Sequence, residues 1–139
     1  MSSFTSAEVA YISTQPLARL ATVGPGGQPD VSPVVFEFDG TDFWIGGRDP
    51  ERTRKFRNVA AGNLKVSLVI DDLASRSPWA PRFLRVYGLA QLQRRTGAFG
   101  AGQYLRIRPE MSWSWNLDGL PYSGTNNSDI GTRKTVHQP

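Results

Sequence analysis

Two hydrophobic periods divide the chain. Near the start, Val9 and Ile12 recur at helical spacing. Ahead of them Thr5-Ser6-Ala7-Glu8 is a T-x-x-E capping box, and Phe4 with Val9 has the spacing of a hydrophobic staple. Gln15-Pro16 predicts where this helix stops. From Leu17 onward the period drops to two. Leu17–Val23 reads as a first strand, interrupted by Gly24-Pro25-Gly26-Gly27, and Val31–Phe38 as a second with Val34, Phe36 and Phe38 on one face. Asp39-Gly40 is a turn signal leading into a short third strand over Asp42–Gly46.

A second helix is expected to start at Asp49-Pro50-Glu51, with Phe56, Val59 and Ala60 as its apolar stripe and Gly62 as its stop. Lys65–Ile70 is a fourth strand, and Asp71–Pro81 reads as a polar loop in which Asp72 caps a turn. The alternation of Leu84, Val86, Ala90 and Leu92 gives a fifth. A Gly-rich connection, Thr96–Gly102, precedes the sixth. There Leu105, Ile107, Met111, Trp113 and Trp115 hold odd positions and Arg106, Arg108, Glu110, Ser112 and Ser114 even ones, with a bulge or edge expected near Pro109. Residues 1–119 thus form one domain, and 120–139, rich in Gly, Ser, Asn and Asp, an extended or disordered tail. The reading is an α+β fold, mainly β: a six-stranded antiparallel barrel with an N-terminal helix and one inserted helix.

Composition narrows the chemistry. The chain has 139 residues and no cysteine, which removes disulfides and thiolate catalysis. With no long apolar run, it is read as cytoplasmic and without a membrane partner. Sixteen Lys and Arg against twelve acids give a net charge of +4, a modest surplus that predicts attraction to anions. No continuous basic stripe accompanies the aromatic strand residues, so nucleic acid is not the expected partner. The single histidine, His137, lies at the C-terminal end, so neither a Ser-His-Asp arrangement nor a His-based metal site is expected in the body. The Gly24–Gly27 run is read as a hairpin turn rather than a phosphate loop, and Asp71-Asp72 is not a carboxylate pair, since adjacent residues on a strand would point to opposite faces. An enzyme so poor in acid and base groups takes its chemistry from a cofactor.

The densest polar signal is Arg48-Asp49-Pro50-Glu51-Arg52-Thr53-Arg54-Lys55-Phe56-Arg57-Asn58. A Thr hydroxyl, Arg and Lys side chains and the N–H groups of a helix start suit a phosphate. The same residues also suit a solvated helix face with paired charges. Trp79, Trp113 and Trp115 are open to two readings as well, ring-binding pocket or core.

The order of segments resembles the pyridoxamine 5'-phosphate oxidase-like split-barrel family, in particular its deazaflavin (coenzyme F420)-dependent branch. The resemblance is carried by Phe4-Thr5 to Tyr11-Ile12, Arg19–Gly24 with Gly27-Gln28-Pro29 and Val31–Val34, and Thr53–Asn58. It continues through Val69–Ser75, Pro78-Trp79, Val86–Ala90 and Ile107-Arg108-Pro109 to Ser114–Gly119. It implies a homodimer with the cofactor between protomers. By that analogy Pro33, Val34 and Val35 contact the deazaflavin ring, Thr53, Arg54 and Lys55 hold the phosphate, and Arg48 is an added contact. The reaction implied is hydride transfer between reduced F420 and an electron-poor, conjugated small molecule. An FMN-dependent oxidase or reductase and a non-catalytic flavin or deazaflavin carrier are the alternatives.

Overall fold

A computed structural model describes residues 3–124 and 130–139. Helix α1 (Ser6–Thr14) begins as its capping box dictates: Glu8 N–H donates to Thr5 Oγ1 at 3.1 Å, and Thr5 N–H to Glu8 Oε1 at 3.0 Å. The strands are β1 (Ala18–Val23), β2 (Pro29–Val34), β3 (Glu37–Phe38) and β4 (Phe43–Ile45), then β5 (Lys65–Ser75), β6 (Ala80–Gly97), β7 (Gly100–Trp115) and β8 (Thr132–Val136). Helix α2 (Arg54–Ala60) separates β4 from β5. Every strand pairing is antiparallel, in the order β2-β1-β5-β6-β7-β4-β3, with β8 added to β7. The α+β barrel architecture is as the sequence predicts.

Eight strands replace the expected six, for two reasons. The segment read as one strand over Val31–Phe38 is two. Val34 pairs with Ala18 on β1, whereas Glu37 and Phe38 pair with Trp44 and Phe43 on β4, at the opposite end of the sheet path. Val35 and Phe36 therefore carry the chain across the gap and curl the sheet around one core. That core joins Ile12 of α1 and Phe56 and Val59 of α2 to Leu20, Leu68, Leu84, Leu105 and Ile107. The other added strand is β8: residues expected to form a free tail pair with β7, Thr132 opposite Trp115 and Val136 opposite Met111.

The stretch expected as a polar loop is mostly strand. β5 and β6 stay paired out to Ser75 and Ala80, leaving only a turn over residues 76–79. Likewise the Gly-rich 96–102 segment is the tip of the β6–β7 hairpin, with Gly97 opposite Gly100. No helix among the described residues is long and apolar enough to cross a membrane.

The bulge near Pro109 has the largest effect on the surface. Met111 pairs with Tyr87 and Pro109 with Gly88, so Glu110 is an unpaired extra residue. One extra residue reverses the face on which every later side chain lies. Leu105 and Ile107 point into the core; beyond the bulge Ser112 and Ser114 do, and Trp113 and Trp115 turn outward. The alternation read from the sequence as one pair of faces is two pairs joined at a crease.

Candidate functional site

The basic segment lies between β4 and β5. Asp49 takes a left-handed conformation (φ 46°) and Pro50–Arg52 makes a single 3-10 turn. Extended Thr53 (φ −83°, ψ 148°) then starts α2, so the helix begins four residues later than the sequence suggested. Thr53 does not cap it; its hydroxyl donates to Pro50 O at 2.7 Å. Phe56, Asn58 and Val59 face inward, and Asn58 Nδ2 donates to Thr22 Oγ1 at 2.9 Å, tying the helix to β1.

Arg54 and Arg57, one helical turn apart, project from the other side. With Asn58, Gly24, Gln28 and Asp30 they line a cavity of about 550 Å³ between α2 and the β1–β2 hairpin. Neither arginine has an ion-pair partner among the described residues. Two free cations against the single carboxylate of Asp30 leave a positive recess, which fits a phosphate. Arg57 is the residue that sequence reasoning missed, although its i+3 spacing from Arg54 was legible. The Gly24–Gly27 run is the hairpin turn expected between β1 and β2, and its Gly24 and Pro25 also line this recess.

The remaining candidates are spread out. Lys55, half-buried, is not among the residues lining this recess. Arg48 is exposed and lines a different cleft, of about 700 Å³, between residues 47–51 and the β6–β7 tip. Pro33 and Val35 are exposed on the outer side, whereas the Val34 side chain is buried in the core.

Outward-facing aromatics line the far end of the same sheet. Tyr87 meets Trp113 edge-on at 4.8 Å, Phe83 stacks on Trp115 at 6.1 Å, and Trp115 meets Tyr122 at 5.5 Å. The Arg85 guanidinium lies 4.4 Å from the Trp113 ring centre and 5.6 Å from that of Tyr87. Trp113 and Trp115 are thus not core residues.

Two half-buried polar groupings brace the barrel. Asp72, expected to cap a loop, lies within β5 and accepts two bonds from Arg82, both at 2.8 Å, one from Tyr11 Oη at 2.9 Å and one from Gln15 at 3.1 Å. Arg82 chiefly holds the Asp72 carboxyl below its ordinary value. Burial, then the bond to Asp72, raises the Tyr11 phenol. Asp71 points the opposite way and pairs with Arg19 at 2.9 Å, as adjacent strand positions require. The second grouping corrects the expectation that His137 lies outside the body. Strand β8 returns it to β7, where its Nε2 is 2.8 Å from Ser112 Oγ and its ring packs on Phe4. Burial lowers the His137 pKa, partly opposed by nearby Glu8. Ser112 is wholly enclosed, so the pair offers no nucleophile to a substrate. No cluster of three or more metal-ligating side chains occurs among the described residues.

An antiparallel barrel closed by a strand crossing, with a cationic recess at an inserted helix, defines a split-barrel protein of cofactor-binding type. The pyridoxamine 5'-phosphate oxidase profile matches residues 4–115, and the chain belongs to that family. It is 40% identical over 134 residues to the 5a,11a-dehydrotetracycline/5a,11a-dehydrooxytetracycline reductase of Streptomyces rimosus, covering 91% of this chain and 93% of the relative. A solved F420 reductase is 26% identical with a TM-score of 0.56, covering 70% of this chain and 90% of that one. A conserved hypothetical protein of Mycobacterium tuberculosis, 19% identical, shares the fold with a TM-score of 0.66 over 91% and 94% of the two chains. The protein is an oxidoreductase of the flavin- or deazaflavin-binding kind.

Proposed function

We propose that the chain is an F420-dependent reductase of a conjugated small molecule. The observation that carries this reading is the near full-length likeness, at 40% identity, to a reductase named for dehydrotetracyclines. The likeness to the F420 reductase supports the choice of cofactor. Reduced F420 supplies a hydride. The protein's part is to bind, orient and exclude water, which is where the rate of such a site comes from.

In this reading Arg54 and Arg57 grip the cofactor phosphate, with Lys55 adding positive potential and Thr53 reaching it only once its hydroxyl leaves Pro50 O. Pro33 and Val35 offer apolar side chains to the ring, and Val34 contributes backbone alone. Arg48, on the neighbouring cleft, is a candidate for a more distant part of the cofactor. The protein acts as a homodimer in which the exposed Val23, Val31 and Val35 of the β1–β2 end are covered by a second copy.

The test is an anaerobic assay of F420 oxidation with a conjugated enone, using cofactor deuterated at its hydride position. Deuterium at the β-carbon of the product supports the reading. Turnover with reduced FMN but not with F420 replaces it with the flavin alternative. Tight cofactor binding without turnover of any enone favours a carrier.

A further inference from the structure

We propose that the outward shelf of Arg85, Tyr87 and Trp113 binds a planar, fused-ring organic anion, and that this anion is the ring system of the reductase's substrate. The substrate assignment rests on the reductase reading above; the shelf itself stands on the geometry alone.

The bulge makes the shelf. By taking Glu110 out of register it presents Trp113 outward, directly opposite Arg85 on β6. Arg85 and Tyr87, two residues apart, share that face. Trp113 and Tyr87 meet edge-on, with interplanar angle 69°, so their rings form a corner rather than a sealed stack. The Arg85 guanidinium lies over both rings. It is exposed and has no carboxylate partner among the described residues. The acid that shares its sheet face, Asp71, is already paired with Arg19. An exposed, uncompensated cation between two aromatic walls is complementary to a flat delocalised anion. Such a ligand stacks on the rings while its charge meets the guanidinium.

A recess adjoins the shelf. Tyr87 is also a wall of a cavity of about 350 Å³ lined by Arg108, Glu110, Met111, Val136 and His137, with one arginine set against one carboxylate, so the positive charge of the site comes from Arg85 on the shelf. Its size lies within the usual range for small-molecule sites, and Tyr87, Met111 and Val136 make its floor apolar. A ligand of several fused rings spans shelf and recess; a single small ring reaches only one. The ionised enol of a polyketide-type 1,3-dicarbonyl carries the required charge. The fused ring of the deazaflavin has the same flat, anionic character, so the experiment separates the two sources.

The probe is alizarin, a planar hydroxyanthraquinone that is anionic at neutral pH, titrated into the full chain without cofactor by dye absorbance. Unsubstituted anthraquinone is its neutral control. Alizarin should bind the wild type about tenfold more tightly than anthraquinone, and Arg85→Ala should abolish that difference. Trp113→Ala should weaken alizarin about tenfold, with Trp113→Phe restoring most of the affinity. Melting and sedimentation should be unchanged. In the second arm F420 is titrated into the same variants: unchanged affinity assigns the shelf to substrate, and a parallel loss assigns it to the cofactor ring and overturns the substrate assignment. Equal affinity for alizarin in wild type and variants, or no binding at all, overturns the shelf itself. So does a sedimentation shift showing that the variants break a dimer, which makes the face a subunit contact. A wild type that binds alizarin but never oxidises reduced F420 sinks the reductase reading and leaves the shelf standing.

Discussion

Ser112 Oγ and His137 Nε2 lie 2.8 Å apart, joining the only histidine to a hydroxyl that strand β7 buries completely. Burial lowers the His137 pKa, so the folded chain favours neutral imidazole. A histidine depressed in this way contributes stability that is intact above its ordinary value of 6.5. That contribution is lost as pH falls through the folded value. Strand β8 should therefore loosen in mild acid. Protection of the 132–136 amides, measured against their intrinsic exchange rates, should fall between pH 7.5 and pH 5 in the wild type, and the step should vanish in His137→Gln. A wild-type exchange profile that follows only intrinsic chemistry would contradict this.

The Asp72 brace carries a second pH dependence of the same sign, in a lower window. Its carboxyl is held down chiefly by Arg82, so its stabilisation is present above the ordinary value of 3.8 and drains away as pH falls below it. Asp72→Ala strands the Arg82 guanidinium and the Tyr11 hydroxyl together, and should cost about 1–3 kcal/mol in urea unfolding at neutral pH. Tyr11→Phe removes one bond and should cost about 0.5–1.5 kcal/mol.

Gly88 tests the packing beside the bulge. A Cβ there would sit 2.8 Å from Ile107 Cγ2 and 2.9 Å from Arg108 O, the second a backbone atom that cannot swing aside. Gly88→Ala should destabilise by about 1–3 kcal/mol. At Gly102 nothing lies within 4 Å, and Gly102→Ala should melt as the wild type does. Similar melting of the two variants would refute the register drawn for β6 and β7.

The cationic recess makes a separate claim. Arg54→Ala and Arg57→Ala should each weaken F420 binding by about 1–3 kcal/mol, the usual range for a charge-assisted hydrogen bond. Lys55→Ala should lose less, since Lys55 does not line the recess. Affinity should fall with added salt. Melting should be unaffected, because Phe56 and Val59 do the packing. Isothermal titration decides it: if only Lys55→Ala loses affinity, the phosphate sits elsewhere.

Much of this architecture was legible because local signals agreed with the fold. The capping box, the Asp39-Gly40 turn and the inward Val66, Leu68 and Ile70 all lie where period and turn chemistry put them. What escaped was non-local. Nothing near Val35 says that the next strand joins the far edge of the sheet. Nothing near His137 says that it will find Ser112. The polar look of Asp71-Asp72 concealed a strand, because the partners that tolerate those carboxylates are Arg19, far back along the chain, and Arg82, which meets Asp72 only once β5 and β6 have paired. At the candidate site, Arg54 came from the family resemblance and the dense basic segment around it, whereas Arg57 needed the helical phase and Val34 the barrel's inside and outside.

Glu110 gives β7 two separate histories. Upstream of it, Leu105 and Ile107 answer to the barrel interior and have little freedom to vary. Downstream, the odd residues answer only to whatever lies outside, so Trp113 and Trp115 can be exchanged without disturbing the core. A lineage that needs a new ligand can rewrite this stretch while keeping the barrel unchanged. Shortening the strand by that one residue would end the arrangement, forcing two tryptophans inward and two serines into solvent.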